Sequence, residues 1–179
     1  MGITSYYTAV SLDGFIADEE HSLAWLLRQD VDDAGPLNYD EFAARVGAVV
    51  MGSTTYEWIL RHEDGQWPYQ VPAWVLTGRE LTAVDGDVTF AHGDVGSVHG
   101  AARAAAGDAD VWIVGGGDVA GQFADAGLLD EVIVYIAPVT LGRGAPLLPR
   151  QLDLRLEEVA RNRGFACARY SVLGRPAGA

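Results

Sequence analysis

Three short stretches of the chain combine an apolar run with glycine or hydroxyl residues in a way that favours phosphate binding. They are MGSTTYE (51–57), VLTGRE (75–80) and VGGGDVA (114–120). Glycine lets a ligand approach the backbone closely, and the free N–H groups at the start of a helix attract phosphate. If the three stretches end parallel strands, they lie along one edge of a sheet. Together they predict a site for a ligand with several phosphates, although each alone could be an ordinary strand-to-helix turn.

Composition removes several other chemistries and partners. The chain has no lysine, which excludes Schiff-base and P-loop lysine chemistry. Its only cysteine, Cys167, lies in an alternating stretch and is expected to be a buried, inert thiol. The four histidines lack the spacing of metal ligands, so no metal site is expected. A net charge of −13 argues against nucleic acid or an anionic membrane as partner.

Apolar runs alternate with helical patterns, which predicts an α/β protein with a mainly parallel sheet. Strands are predicted at 3–10, 47–52, 73–78, 87–93, 110–117 and 130–142, and a closing hairpin over 154–173 turns around Asn162-Arg163-Gly164. Helices are predicted at 37–46, 53–60, 95–107 and 118–127, the second capped by Ser53 or Thr54.

The 179 residues suit one domain, 1–179, with a sizeable core. No apolar run approaches the roughly 20 residues that span a bilayer. The first residues lack the basic flank and long apolar core of a signal peptide. We therefore expect a cytoplasmic protein without a membrane partner.

Four stretches, in the same order along nearly the whole chain, resemble the dihydrofolate reductase superfamily. They are SLDGFIA, MGSTTYEWI, VLTG and WIVGGGDVAGQF, and they are most similar to the RibD C-terminal domain, the reductase part of the riboflavin-biosynthesis deaminase-reductase. This resemblance implies a dihydrofolate reductase-like, three-layer α/β/α fold whose mixed, mainly parallel sheet has about eight strands. It also implies NADPH as hydride donor, a small-molecule substrate and a homodimer.

The resemblance also implies which residues contact the cofactor. These are Ala9 and Ile16 at the nicotinamide, Gly52, Ser53, Thr54 and Thr55 at the phosphates, Leu76, Thr77, Gly78 and Arg79 at the adenosine end, and Val114, Gly115, Gly116, Gly117, Asp118, Val119 and Ala120 at the pyrophosphate and nicotinamide ribose. Family members often carry a basic residue where this chain has Ser53, so Arg79 is the candidate for the 2′-phosphate and the choice between NADPH and NADH stays open. Asp118 is an acid among phosphates, so its side chain must point away or cap the helix.

Four residues are candidates for the substrate pocket: Asp13, Trp25, Tyr135 and Arg143. Asp13 is either a pocket acid or only the turn residue before a glycine, and Tyr135 either lines the cleft or is a core aromatic. Both are also candidates for catalysis. Arg143 lies between two glycines and either binds a substrate phosphate or sits in an exposed turn. The stretch Trp25-Leu26-Leu27 and the run 28–36 are expected to form a flap over the pocket.

The resemblance implies an NADPH-dependent reductase that transfers a hydride to a small heterocyclic or sugar-imine substrate. In the riboflavin branch that substrate is 5-amino-6-(5-phosphoribosylamino)uracil. Asp40 and Glu41 do not match the spacing of the buried acid of folate reductases, which disfavours dihydrofolate. A dihydrofolate reductase-type enzyme and a non-catalytic nucleotide-binding protein of the same fold are the alternatives.

Overall fold

Strands and short helices alternate through the first two thirds of the chain, and strands make up the last third. A computed structural model describes residues 1–176. The strands are β1 (Thr4–Ser11), β2 (Phe15–Ala17), β3 (Val46–Gly52), β4 (Ala73–Leu76), β5 (Val88–Ala91), β6 (Asp110–Gly115), β7 (Glu131–Ala137), β8 (Ala145–Pro146), β9 (Asp153–Asn162) and β10 (Phe165–Gly174). The helices are α1 (Ala24–Leu27), α2 (Tyr39–Ala43), α3 (Ser53–His62), α4 (Val95–Ala106) and α5 (Gly117–Asp125).

One eight-stranded sheet organises the fold, in the order β5-β4-β3-β6-β1-β7-β10-β9. Neighbouring strands from β5 to β7 are parallel, whereas β10 and β9 are antiparallel. Strands β2 and β8 pair separately as a small antiparallel ribbon. The predicted α/β class is therefore confirmed, with its eight-stranded, mainly parallel sheet and its C-terminal hairpin.

Helices cover both faces of the sheet and create two apolar cores. Phe42 of α2 and Ile59 of α3 pack on one face, and Val98 of α4 and Phe123 of α5 pack on the other. Strand β3 is buried on both sides, which explains its continuous apolar sequence. Full burial of each large apolar side chain contributes roughly 1.5–3 kcal/mol, so these two cores hold the layers together.

Strand pairing brings the three glycine-containing stretches to one edge. Gly52 at the end of β3 lies opposite Leu76 at the end of β4. On the other side of β3, Met51 lies opposite Gly115 at the end of β6. The predicted convergence of these strand ends is thus a direct result of the parallel register.

Two of the predicted helix boundaries were wrong. Helix α2 is shorter than the predicted 37–46, because Asn38 caps it by accepting a hydrogen bond from the Glu41 N–H (2.9 Å) and the chain enters β3 at Val46. Helix α3 is capped by Gly52 in extended conformation, not by Ser53 or Thr54. No helix within residues 1–176 is long and apolar enough to cross a membrane.

Candidate functional site

A cavity of about 380 Å³ lies where α3 and α5 begin, at the carboxyl ends of the parallel strands. We call it the glycine cavity, because Gly115, Gly116 and Gly117 form part of its wall. It is also lined by Thr8, Ile16, Ala17, His21, Leu23, Thr54, Thr55, Trp58, Ile59, Tyr69, Val114, Asp118, Ala145, Pro146 and Pro149. Its size is within the range of small-molecule sites.

The two helices that begin at the glycine cavity have no side-chain cap. Gly52 precedes α3 and Gly116 precedes α5, and neither offers an acceptor to the first N–H groups. By contrast, Asn38 caps α2 and Asp94 caps α4 with side-chain oxygens. Because uncapped N–H groups and the helix dipole attract anions, both helix starts are suited to bind phosphate.

The three consecutive glycines have different surroundings. A Cβ atom on Gly117 would lie 2.1 Å from the Pro146 carbonyl oxygen, and one on Gly115 would lie 2.9 Å from the Thr55 hydroxyl. A Cβ atom on Gly116 would meet nothing within 4 Å, and its φ of −87° suits any residue. Gly115 and Gly117 are therefore needed for packing, whereas Gly116 leaves open space at the cavity.

Asp118 lies beside the cavity but its charge is compensated. Gln122 and Arg150 both donate hydrogen bonds of 2.9 Å to its carboxylate, and these contacts lower its pKa. Arg150 also donates to Asp125 (2.6 Å), so it holds two acids along α5. Arg150 could not be identified from the sequence, because it lies 32 residues from Asp118 in a loop without a recognisable motif.

Arg79 and Ser53 lie together at the start of α3. The Arg79 guanidinium donates to the Ser53 hydroxyl (3.2 Å) and forms a salt bridge with Glu57 (2.8 Å). The Thr77 hydroxyl bonds the backbone of Arg79 in both directions, which fixes the turn after β4. Arg79 was the candidate to replace the basic residue that relatives carry at the position of Ser53. The two side chains are in contact.

A second cavity, of about 240 Å³, lies on the α2 side of the sheet. We call it the tyrosine cavity; its lining consists of Tyr7, Ala9, Leu26, Val31, Asp32, Asp33, Asn38, Tyr39, Tyr135 and Phe165. The Tyr135 hydroxyl donates to the Pro36 carbonyl (2.6 Å), and the Tyr7 hydroxyl donates to the Leu37 carbonyl (3.2 Å). Burial raises the pKa of both phenols, so they stay protonated as donors. Ala9 and Tyr135 therefore share one cavity, while Ile16 lines the other.

A buried asparagine attaches the 28–36 loop to the end of β9. Asn162 is 2% exposed, and its side chain accepts from the Asp32 N–H and donates to the Asp32 carbonyl, both at 2.9 Å. This loop lines the tyrosine cavity through Val31, Asp32 and Asp33. The sequence had marked Asn162 only as a turn residue, since its partner lies 130 positions away.

Comparison with known proteins agrees with this geometry. The family model of the RibD C-terminal domain matches residues 101–163. The chain is 34% identical over 158 residues to the uncharacterized protein YwjB of Bacillus subtilis (strain 168), covering 86% of this chain and 88% of YwjB. The chain belongs to the RibD C-terminal domain family.

Solved structures support the same fold. A protein of Shewanella sp. PV-4, assigned provisionally to riboflavin biosynthesis, superposes with a TM-score of 0.81 and 26% identity, covering 95% of this chain and 98% of its own. Dihydrofolate reductase from Enterococcus faecalis, complexed with NADP(H), has a TM-score of 0.60 at 17% identity, with coverages of 96% and 97%. The fold is therefore the one that dihydrofolate reductase has.

Two predicted contacts are corrected by burial. Ala120 has no exposed surface and packs in the core beneath α5, so it cannot touch a cofactor. Trp25 is 5% exposed and packs on Tyr135 and Phe165 beneath α1. Its neighbours Leu23 and Leu26 line the two cavities instead.

Two charged candidates for the substrate pocket lie outside both cavity linings. The Asp13 carboxylate accepts from the Ser11 hydroxyl (2.6 Å) and from the backbone N–H groups of Leu141 and Gly142. This is the turn role that the sequence had left open. The Arg143 side chain is 79% exposed, and its nearest acid is Glu19 (3.8 Å), which corresponds to the exposed-turn alternative.

Two further reactive side chains of this RibD C-terminal domain fold, Cys167 and His99, have contacts that point to a structural role. Cys167 is fully buried in β10, and burial raises the pKa of its thiol, as expected for an inert cysteine. Burial lowers the pKa of His99, which shares a hydrogen bond with Thr4 (2.9 Å). Residues 1–176 contain no group of three or more His, Cys, Asp and Glu that could hold a metal ion.

Asp13 gives a prediction for stability against pH. Hydrogen bonds from Ser11 and from two backbone N–H groups lower its pKa from 3.8 to about 2. Because the folded pKa is below the unfolded one, the contact stabilises the protein above pH 4 and is lost as pH falls towards 2. We expect Asp13→Asn to lower the thermal midpoint at pH 7 and to differ less from wild type at pH 2.5, measured by calorimetry.

The matched control is Asp85→Asn, which removes an exposed carboxylate in the loop before β5. The difference in thermal midpoint between this control and the wild type should not become smaller between pH 7 and pH 2.5. If Asp13→Asn lowers the thermal midpoint equally at both pH values, the stabilising role of the Asp13 carboxylate is contradicted.

Proposed function

We propose that the chain is an NADPH-dependent reductase that transfers a hydride to a small heterocyclic or sugar-imine substrate. The observation that carries the proposal is the convergence of two uncapped helix starts and a glycine strand end on one cavity. In a family with a reductase fold, this arrangement supports binding of a dinucleotide by its phosphates.

The residues of the glycine cavity fit such a cofactor. The N–H groups at the start of α3 and α5 would hold its phosphates, and the open space over Gly116 would admit the pyrophosphate. Ile16 and Val114 offer apolar surface for the nicotinamide. When bound, the cofactor supplies a hydride, and reduction of a C=N or C=O bond consumes that hydride and one proton.

The chain's own share is to orient the substrate and to exclude water. The aromatic and aliphatic lining of both cavities keeps water from the reacting carbon. Tyr135 acts as a positioning residue in this proposal, because its hydroxyl already donates to Pro36.

The family supports 5-amino-6-(5-phosphoribosylamino)uracil as the first substrate to test. A dihydrofolate reductase-type enzyme is the alternative, although Asp40 and Glu41 are exposed in the first turn of α2 and lie outside the tyrosine cavity lining. A non-catalytic nucleotide-binding protein is the third candidate. Consumption of NADPH with either substrate would exclude this non-catalytic candidate.

Gly116 provides the test of cofactor binding. The Cβ of a valine there would meet nothing within 4 Å, but the side chain would occupy the pyrophosphate path. We expect Gly116→Val to keep the wild-type thermal midpoint within a few degrees and to weaken NADPH binding at least about 100-fold. Titration calorimetry measures the affinity.

Gly100→Val is the matched control, since a Cβ at Gly100 on the exposed side of α4 also meets nothing within 4 Å. It should bind NADPH like the wild type. A folded Gly116→Val protein with unchanged affinity, or a wild-type protein that binds neither NADPH nor NADH at millimolar concentration, would refute the proposal.

Arg79 provides the test of cofactor choice. If its guanidinium meets the 2′-phosphate, Arg79→Ala removes a charge-assisted contact that only NADPH makes. We expect about ten-fold weaker NADPH binding with NADH binding unchanged. Glu57→Gln should have the opposite effect, because it releases Arg79 from its salt bridge. If Arg79→Ala loses equal affinity for NADPH and NADH, this role of Arg79 is contradicted.

We also propose a homodimer formed through the edge strand β9. Leu154, Leu156 and Val159 are 40%, 53% and 68% exposed on this strand. They lie opposite Val172, Tyr170 and Ala168 of β10, so they extend the sheet face that α5 covers only in part. An apolar stripe on a long edge strand favours pairing with a second copy.

Sedimentation velocity tests the dimer. The wild type should sediment at twice the 19.1 kDa protomer mass, and Leu156→Glu should shift it to the protomer. Leu27→Glu, at a similarly exposed leucine on α1, is the control and should leave the dimer intact. A wild-type protein that sediments as a single protomer at high micromolar concentration would contradict the proposal.

A further inference from the structure

We infer that His21 is the cation that the glycine cavity offers to an anionic ligand, and that cofactor binding is therefore coupled to uptake of a proton by its imidazole. The inference rests on the proposed function and adds a charged residue to the cofactor site. It follows from the charges at the cavity, from the loop that carries His21 and from the size of the cavity.

The glycine cavity combines a backbone suited to anions with little positive charge. Among the described residues that line it, His21 is the one whose side chain can become a cation. Asp118 is the acid of the lining, and its charge is paired with the guanidinium of Arg150 (2.9 Å). The pyrophosphate of a dinucleotide is negatively charged, so the charge available to balance it inside the cavity depends on His21.

The arginines around the glycine cavity are directed to acids or to solvent. Arg79, at the start of α3, forms a salt bridge with Glu57 (2.8 Å). The Arg143 side chain is 79% exposed, and its nearest acid is Glu19 (3.8 Å). Neither arginine belongs to the cavity lining. A phosphate in the cavity would therefore be held by the first N–H groups of α3 and α5 and by the imidazole of His21.

The loop between β2 and α1 holds His21 in an unfavourable backbone conformation. Its φ is 56°, in the left-handed region that is uncommon for residues other than glycine. Two hydrogen bonds fix this turn: the His21 N–H donates to the Asp18 carbonyl (3.1 Å), and the Ser22 N–H donates to the Asp18 carboxylate (2.7 Å). Residues that their surroundings hold in such conformations cluster at ligand sites. The loop thus places the side chain of His21 at the cavity wall.

The imidazole of His21 is available to a proton and to a ligand. It is exposed, and within residues 1–176 it forms no hydrogen bond or salt bridge. The ring of His62, by contrast, donates to the Trp58 carbonyl (2.9 Å). Histidine is the side chain that ordinarily gains or loses a proton between pH 5 and 8, and a neighbouring anion favours its protonated form. An anion bound in the cavity would therefore draw a proton onto His21.

The dimensions of the glycine cavity allow the charge of His21 to act on a bound phosphate. A compact space of 380 Å³ is about 9 Å across, close to the Debye length of about 8 Å at physiological ionic strength, so charges within it are only partly screened. The other charged groups near His21 are acids of its own loop and of α5, namely Asp18, Glu19, Glu20 and Asp118. These acids are present with and without a ligand, so proton uptake on binding reports on the phosphates of the ligand.

Titration of the full-length protein with NADH at pH 6.0 and pH 8.0 tests the inference. NADH is the probe because its pyrophosphate keeps the same charge at both pH values, whereas the 2′-phosphate of NADPH itself titrates near pH 6. We expect the wild type to bind NADH about five-fold more tightly at pH 6.0 than at pH 8.0. Calorimetry at pH 6.5 in two buffers of different ionisation enthalpy should show that protons are taken up on binding.

Two substitutions at His21 assign the effect to its charge. Asparagine tolerates the left-handed backbone, so His21→Asn should keep the wild-type thermal midpoint within a few degrees. It should bind NADH equally at both pH values and without proton uptake. His21→Arg carries a permanent charge and should bind NADH equally at both pH values, more tightly than the wild type at pH 8.0.

His62→Asn is the matched control. His62 ends α3, about 13 Å along the helix axis from the first residue of α3, which is farther than the Debye length. Whatever this substitution does to the affinity itself, the ratio of NADH affinities between pH 6.0 and pH 8.0 should stay at the wild-type value.

Two results would overturn the inference while leaving the proposed reductase intact. One is a wild-type protein that binds NADH equally at both pH values, and the other is a pH dependence that persists in folded His21→Asn. A wild-type protein that binds neither NADH nor NADPH would overturn the proposed function together with the inference. The two failures are therefore distinguished by whether the cofactor binds at all.

Discussion

The site depends on the hydrogen-bonded register of three parallel strands. Because β3 pairs with β4 on one side and with β6 on the other, Gly52, Leu76 and Gly115 end on the same edge. Each strand is followed directly by a helix or a tight turn, so a shift of one residue in β3 would move Gly52 away from Leu76 and Met51 away from Gly115. The packing of the core and the geometry of the cavity are therefore set by the same hydrogen bonds.

Around this edge, the chain uses its acids and arginines in pairs that are distant in sequence. Arg150 compensates Asp118 beside the glycines, and Arg79 is held by Glu57 next to Ser53. On the opposite end of the sheet, Arg45 bridges Asp110 and Glu131 at the start of two central strands. A lysine-free chain with net charge −13 thus keeps its positive charge in forked guanidinium groups that join structural elements.

Much of the fold follows from local patterns in the sequence. The continuous apolar runs of β3 and β6 indicated a covered parallel sheet, and Gly107, with φ of 62°, ended α4 where predicted. Helix starts were harder, because a glycine cap leaves no side-chain signature; Gly52 is the cap where Ser53 or Thr54 was expected. The contacts of the acid Asp13 and of the buried Trp25 could not be predicted for a related reason. Their partners, Leu141 and Phe165, lie more than 125 residues away, and a single sequence contains no signal that connects them.

The side chain of Asn162 has a mechanical consequence. It lies at the end of β9, the strand with the exposed apolar stripe, and it holds both the N–H and the carbonyl of Asp32 in the loop beside the tyrosine cavity. The end of the edge strand and one wall of the tyrosine cavity are therefore joined through a single side-chain amide.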